Sequence, residues 1–157
     1  MILMTMRLAI EQIGQVGQLK NFLSSAYAYA DMSPDITIRK KVNDWMLRRD
    51  RSSLSLSDWC QLYSTQAQAY SVLSFIYQSF SQYSGLDFSR VRPDDQLNRD
   101  LHFPLVCWFD WSITFCEDFF QQFDLDLSDR FDEASFSTIG EMVNFLIAQM
   151  SQSNAEA

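Results

Sequence analysis

Apolar residues recur along most of the chain at intervals of three, four or seven, which is the spacing of one face of an α-helix. This pattern predicts a first helix over residues 6–30, and a break follows at residues 31–35. Ser33 can cap a second helix there, with Pro34 at its first position, where a missing N–H costs nothing. The N-terminal part of the chain is therefore expected to contain two helices.

A polar segment, residues 52–57, follows the second helix and is the best candidate for a domain boundary. Ser57 can accept hydrogen bonds from backbone N–H groups at the start of the next helix. That helix is predicted to run from Asp58 to Ser84, because its apolar stripe is wide enough to be buried. Gly85 can end it in a left-handed conformation without a Cβ penalty.

The most aromatic part of the chain is predicted to be a helix from Pro104 to Phe123, because proline suits the first turn of a helix. Its apolar residues form two adjacent stripes, namely Phe109, Ile113, Cys116, Phe120 and Phe123 in one, and Trp108, Trp111, Phe115 and Phe119 in the other. Together the stripes are wider than one neighbouring helix can cover. Either several helices surround this one, or part of the apolar arc is a binding surface.

A last helix is predicted after an acidic turn at residues 124–133. Thr138 and Glu141 match a capping box, in which the hydroxyl and the carboxylate satisfy each other's backbone N–H groups. Apolar residues at helical spacing then continue to Met150, and residues 151–157 are expected to form a loose tail.

The composition fits a packed helical protein of 157 residues. Apolar residues make up 47% of the chain and aromatic residues 15%, which is enough for a core, and the 4 Gly and 3 Pro favour long helices over turns. We therefore predict an all-α fold with a two-helix extension over residues 1–56 and a helical bundle over residues 57–150.

The formal net charge of -8 disfavours nucleic acid as a partner, because phosphate binding needs a basic face. It favours a protein partner with a basic surface. Half of the 12 basic residues nevertheless cluster in or just after the second helix, as Arg39, Lys40, Lys41, Arg48, Arg49 and Arg51. They could form a docking patch for an acidic partner or for the acidic half of this chain, or simply a solvated helix face.

The three cysteines are odd in number and lie in apolar helical runs, so we expect reduced, buried thiols in a cytoplasmic protein: Cys60, Cys107 and Cys116. The first residues lack the basic and apolar regions of a signal peptide. No segment has the roughly 18 uninterrupted apolar residues of a membrane span. Neither a signal peptide nor a membrane partner is therefore expected.

The sequence offers no recognisable catalytic set. Asp94 and Asp95 lie side by side in a polar turn without a third ligand nearby, which favours capping and solvation over metal binding. His102 is the single histidine, and no nucleophile stands at a spacing that would make it a catalytic base. We therefore predict a protein that is not an enzyme and that holds no metal or cofactor.

Several motifs between residues 71 and 147 appear in an order that resembles the acyl carrier protein family. They are Val91-Arg92-Pro93-Asp94 and Asp100-Leu101 in the loop, Phe123-Asp124-Leu125-Asp126-Leu127 at the acidic turn, and Ser137-Thr138-Ile139 before the last helix. The resemblance covers about half the chain and implies a four-helix bundle with a long loop after its first helix and a short third helix.

The chain departs from this family at the serine that carries the phosphopantetheine arm. Counting along the chain from the two ends of the family pattern leads to Pro104-Leu105 or to Phe109, and neither position is a serine. The nearest hydroxyl belongs to Ser112, which is a weak candidate because the pattern places it well inside an aromatic helix. Phosphopantetheine attachment requires an exposed serine at a helix start, where free N–H groups help to hold phosphate.

The resemblance therefore implies a carrier-like fold without the arm, which would act by docking to other proteins. The expected docking residues are acidic groups on and after the second helix of the bundle, together with two tryptophans: Asp110, Glu117, Asp118, Asp124, Asp126, Asp129, Trp108 and Trp111. The partner could be another protein or a second copy of this chain. Two alternatives remain open, namely a small acidic immunity protein or secretion chaperone, and a genuine acyl carrier modified at an atypical serine.

Overall fold

The computed structural model describes residues 33–156, so the helix predicted over residues 6–30 lies outside the described residues. Within the described range the chain is mostly helical and has no strand, which confirms the all-α prediction. The helices are α1 (Ile36–Arg48), α2 (Leu56–Gln61), α3 (Tyr70–Ser84), α4 (Phe103–Val106), α5 (Trp111–Phe123) and α6 (Ile139–Glu156). Short 3-10 turns lie at Ala67–Ala69, Phe88–Arg90 and Glu133–Ser135.

Helix α1 begins two residues later than expected. The carboxylate of Asp35, rather than the hydroxyl of Ser33, accepts from the backbone N–H of Ile38 at 3.0 Å and caps the helix. Proline at position 34 therefore precedes the cap and is not the first helical residue. Aspartate is as good an N-cap as serine, so Asp35 takes the role that the sequence pattern assigned to Ser33.

One compact unit of the chain begins at Pro34 and contains all the helices described above. It includes α1 and the polar segment at residues 52–57, which was predicted to be a domain boundary. The N–H of Leu54 donates to the carbonyl oxygen of Ser89 at 3.0 Å, and Arg92 donates to the carbonyl oxygen of Ser52 at 2.6 Å. These bonds tie the segment to the loop after α3. Residues 34–56 therefore belong to the same unit as the helices that follow them.

The helix predicted from Asp58 to Ser84 is interrupted, because α2 ends at Gln61 and α3 starts at Tyr70. The hydroxyl of Ser64 accepts from the N–H of Gln66 at 3.2 Å, which stabilises a turn in place of a helix. Of the two predictions for the ends of this helix, the N-cap residue is wrong and the C-terminal glycine is confirmed. The helix start is capped by Ser55 and not by Ser57, whereas Gly85 ends α3 with a φ of 66°, as expected.

The helix predicted from Pro104 to Phe123 is also interrupted, and the cause is long-range. A continuous helix would use the carbonyl oxygens of Leu105 and Val106 to accept from residues four positions later. Instead, the N–H of Asp35 donates to Leu105 at 2.9 Å, and Nε of Arg39 donates to Val106 at 2.7 Å. Helix α4 therefore ends at Val106, and a new helix, α5, starts at Trp111.

One hydrophobic core joins all of these elements, and aromatic rings form its centre. Phe80 of α3 is fully buried and lies 5.0–6.1 Å, between ring centroids, from four other aromatic residues, which are Phe88, Phe103, Trp111 and Phe115. Helices α3 and α6 pack side by side. Aromatic clusters of this kind bury large areas per residue, which explains how a short chain with few helices acquires a fixed core.

The capping box predicted for the last helix is confirmed. The Thr138 hydroxyl accepts from the N–H of Glu141 at 3.2 Å, and the Glu141 carboxylate accepts from the N–H of Thr138 at 3.3 Å. The helix continues to Glu156, however, so residues 151–156 are helical where a loose tail was expected.

Gly140 in the first turn of α6 touches the loop that contains Pro93. A Cβ atom at position 140 would lie 2.8 Å from the Pro93 carbonyl oxygen, which also accepts the Gly140 N–H at 2.9 Å. We expect Gly140→Ala to lower the free energy of unfolding by about 1–3 kcal/mol through overpacking, although alanine is the better helix former. Urea denaturation measures this loss. Asn144→Ala, at an exposed position of the same helix, should leave stability unchanged or raise it slightly.

Candidate docking surface

Helix α5 has a buried face and an exposed apolar face. Trp111, Phe115 and Phe119 are buried in the core. Ile113 and Phe120 lie elsewhere on the helix and remain 63% and 48% exposed, and Phe109, just before the helix, is 65% exposed. We call Phe109, Ile113 and Phe120 the exposed apolar face. Three large exposed apolar side chains so close together in the chain are the kind of patch that marks an interaction site.

Two further apolar side chains just before α5 are also exposed, namely Leu105 and Trp108. Leu105 belongs to the short helix α4, and Trp108 to the connection that leads into α5. Exposed apolar side chains therefore recur along the chain from Leu105 in α4 to Phe120 in α5. Of the two alternatives left open by the wide apolar arc, the structure supports partial exposure for these residues.

Acidic groups accompany the exposed apolar face. Glu117 is exposed and lies four residues after Ile113 and three before Phe120, so it shares their side of the helix. The predicted docking residues Asp124, Asp126 and Asp129 are exposed in the turn after α5. The sequence has no lysine or arginine between Arg99 and Arg130, so the local charge is negative.

The predicted docking residues Trp111 and Asp118 have structural roles instead. Trp111 is only 6% exposed, and its ring centroid lies 5.0 Å from that of Phe103 in the core. Asp118 is half-buried and accepts a hydrogen bond from the hydroxyl of Tyr83. Burial, together with this bond, raises the pKa of Tyr83, so the phenol stays protonated and holds α3 against α5.

Two of the other acidic groups shape the ends of α5 and the turn that follows. Asp110 is half-buried and is the N-cap residue of the helix, where a negative charge is favourable. The Asp126 carboxylate accepts from the N–H of Ser128 at 2.9 Å, and hydrogen bonds from the Ser128 hydroxyl and N–H lower the pKa of Asp126. Asp126 therefore stays ionised and exposed beside the helix.

Ser112 is the second residue of α5, so the prediction that it lies well inside a helix is wrong. It is half-buried and lines a cavity of about 170 Å³ with Ile113, Cys116, Glu117, Ser128 and Phe131. The break at residues 107–110 is what moves the helix start to this serine. The first turn of a helix has free N–H groups that can help to hold a phosphate.

The six basic residues of and after α1 do not act as one patch. Arg39 and Arg51 are partly buried and make internal hydrogen bonds, Arg39 to Tyr83 and Val106, and Arg51 to Asp95. The other four are exposed, namely Lys40, Lys41, Arg48 and Arg49. Lys40 pairs with Asp44 at 2.8 Å, and the Arg49 guanidinium lies 5.4 Å from the Trp45 ring.

The adjacent aspartates predicted to be solvated differ from each other. Asp94 is exposed, but Asp95 is buried and forms a two-bond ion pair with Arg51, at 2.6 and 2.7 Å. Among the described residues no group of three histidine, cysteine, aspartate or glutamate side chains is placed to hold a metal ion.

The three cysteines are buried and reduced, as predicted. Burial raises the pKa of the Cys107 thiol to about 12, that of Cys116 to about 11, and also that of Cys60. Because the thiolate is the reactive form, we expect an aromatic disulfide reagent at pH 8 to label the native protein at least about tenfold more slowly than the urea-unfolded protein. Counting the thiols labelled over time measures this, and fast labelling of the native chain would contradict the burial described above.

Comparison with protein-family models, with curated proteins and with solved structures returned no match for this chain. Between residues 33 and 156, none of the helices combines the length and the apolar character needed to cross a membrane.

Proposed function

We propose that this protein is a non-enzymatic adaptor that binds a partner protein through α5. The observation that carries the proposal is the exposed apolar face of Phe109, Ile113 and Phe120 beside the exposed carboxylate of Glu117. A partner with apolar side chains inside a basic surface would match both properties. Apolar contact would supply most of the affinity, and the charges would set the encounter rate and the choice of partner.

An acyl-carrier-like arrangement is part of this proposal. The proposal is supported by the order of a long helix (α3), a long loop, a second helix (α5) and a last helix (α6), although the loop also contains α4 and a 3-10 turn at Glu133–Ser135 takes the place of the third helix. The loop motif that includes Pro93 and Asp94 packs at the start of α6, where the N–H of Ile139 donates to the carbonyl oxygen of Asp95 at 3.0 Å. In such an arrangement α5 would be the helix that meets partner proteins.

The proposal is tested by comparing two double variants of the full chain in affinity capture from the native host. Ile113→Glu with Phe120→Glu alters the exposed apolar face. Ile36→Glu with Leu47→Glu alters two exposed apolar residues of α1 and serves as the matched control. We expect the native chain and the control to retain the same specific partner, and the first double variant to lose it. Equal retention by both variants would refute the proposal, as would equal loss.

A second copy of this chain is the other partner that the same surface could accept. Sedimentation of the native chain over a range of concentrations separates this outcome from a foreign partner. A dimer that is lost only in the variant of Ile113 and Phe120 would identify the exposed apolar face as a self-association surface.

Ser112 supports a second candidate function, that of a genuine carrier modified at an atypical serine. It is the second residue of α5 and borders a cavity of about 170 Å³, so it meets the requirement for a helix start, although its side chain is half-buried and not exposed. The test is incubation with coenzyme A and a broad-specificity phosphopantetheinyl transferase, followed by intact-mass measurement. A phosphopantetheine adduct on the native chain that is absent from Ser112→Ala would establish this function and refute the adaptor without an arm. An unmodified native chain would exclude it.

A further inference from the structure

A cavity of about 360 Å³ lies between α1 and the loop that leads to α4. Its apolar lining comes from one face of α1, where Ile38, Val42 and Trp45 follow one another at intervals of four and three residues. Its polar lining comes from the loop at residues 99–102 and from Lys41 at the neighbouring helix position. The cavity thus has an apolar wall and a polar wall, and its volume falls in the range of small-molecule sites.

The polar wall is cationic although the chain as a whole carries a net charge of -8. Lys41 and Arg99 line the cavity together with the polar side chain of His102, and Asp100 is the one acidic residue among the described residues of this lining. The Asp100 carboxylate already accepts from Nε of Arg99 at 3.2 Å and from the N–H of Gln96 at 3.0 Å. The lysine ammonium is thus left as the excess positive charge at the cavity.

The backbone at His102 is held in an uncommon conformation at the cavity edge. Its φ of 49° lies in the left-handed region, which is unfavourable for a residue with a Cβ atom. Two hydrogen bonds hold it there, because its carbonyl oxygen accepts from the N–H of Leu105 at 2.9 Å and from that of Val106 at 3.1 Å. Strained residues that the surrounding structure holds in place concentrate at binding sites.

We infer that this cavity binds a small organic anion, with an apolar body against Ile38, Val42 and Trp45 and a carboxylate at the Lys41 ammonium. The apolar side chains would supply contact area and the lysine a charge-assisted hydrogen bond, which is the usual combination in a small-ligand site. No residue of the exposed apolar face lines this cavity, so the inference does not depend on the proposed docking function.

The test measures binding of 2-naphthoate and of hexanoate to the full chain by titration calorimetry, beside 2-naphthamide as the uncharged isostere. We expect a carboxylate to bind at least about tenfold more tightly than the amide, since a charge-assisted hydrogen bond contributes more than the roughly 1.4 kcal/mol to which a tenfold difference corresponds. We expect Lys41→Glu to weaken that binding about tenfold or more. Arg48→Glu, which makes the same charge change at an exposed position outside the cavity, should have less than about a threefold effect.

Amide-proton chemical shifts locate the binding site and should change at Trp45 and His102. Four results would overturn the inference. The first is no binding of either carboxylate at millimolar concentration, and the second is equal binding of the naphthoate and the amide. The third is an equal effect of the two charge reversals. The fourth is a set of shift changes centred on Ile113 and Phe120, which would assign the binding to the exposed apolar face.

Discussion

Replacing Asp95 with alanine should lower the free energy of unfolding by about 3–5 kcal/mol, because it leaves a largely buried guanidinium without its partner. The Asp95 carboxylate accepts two hydrogen bonds from Arg51, at 2.6 and 2.7 Å, and a third from the N–H of Arg92 at 2.8 Å. The side chains of Arg51 and Asp95 are only 16% and 4% exposed. Chemical denaturation with urea measures the loss.

The expected loss of stability is large because the ion pair between Arg51 and Asp95 connects segments that are far apart in the chain. Arg51 precedes the polar segment at residues 52–57, and Asp95 lies in the loop that meets α6. The Arg51 guanidinium also lies 4.7 Å from the centre of the Trp45 ring and donates to the carbonyl oxygen of Arg90 at 3.2 Å. One guanidinium therefore joins α1, the polar segment and the long loop.

Asp94→Ala is the matched control, because it removes the neighbouring carboxylate, which is exposed. We expect it to change stability by less than about 0.5 kcal/mol. Arg51→Ala should cost about as much as Asp95→Ala, and the double variant should cost less than the sum of the two single changes. Additive losses, or equal losses at positions 94 and 95, would show that the ion pair does not hold the loop in place.

The features that could be predicted from the sequence depend on residues close together in the chain. The capping box of Thr138 and Glu141 is a signal within four residues, and the left-handed glycine at position 85 acts on its own helix. Apolar spacing likewise identified helical segments, although it joined α2 to α3 and α4 to α5. Local signals of this kind do not need a partner from elsewhere in the fold, which is why they can be read without a structure.

The break within the aromatic run could not be predicted because distant residues cause it. The break after Val106 depends on Arg39, which is 67 positions away in the chain. No residue of the aromatic run signals that its carbonyl groups will be taken by α1. The same break moves Ser112 from the expected middle of a helix to its second residue, so one missed contact changed the chemical interpretation of that serine.

The candidate docking surface was predicted only in part, for a similar reason. Exposure follows the two predicted stripes only in part. In the first stripe Phe109, Ile113 and Phe120 are exposed but Cys116 is buried, and in the second stripe Trp108 is exposed although Trp111, Phe115 and Phe119 are buried. Both stripes are equally apolar, so the sequence did not indicate which one the core would cover. Trp111 was predicted to be a docking residue, but it packs against Phe103 in the core, whereas Trp108 of the same stripe is exposed.

Phe115→Ala should lower the free energy of unfolding by about 3–5 kcal/mol, which is the usual cost of emptying a buried phenylalanine site. Phe115 is fully buried, and its ring centroid lies 5.0 Å from that of Phe80 and 5.3 Å from that of Phe131. Phe120→Ala is the matched control, because it removes a side chain of the same type from the exposed side of the same helix. We expect it to change stability by less than about 1 kcal/mol.

Comparing Phe115→Ala with Phe120→Ala separates the contribution of α5 to packing from its contribution to docking. If α5 binds a partner through its exposed apolar face, Phe120→Ala should lose partner binding while its urea midpoint stays near that of the native chain. Phe115→Ala should lower the urea midpoint. At urea concentrations below its unfolding transition, it should still bind the partner. Similar destabilisation by both variants would mean that Phe120 contributes to the fold. The proposal that the exposed apolar face is a docking surface would then be refuted, because its apolar residues would be required for packing.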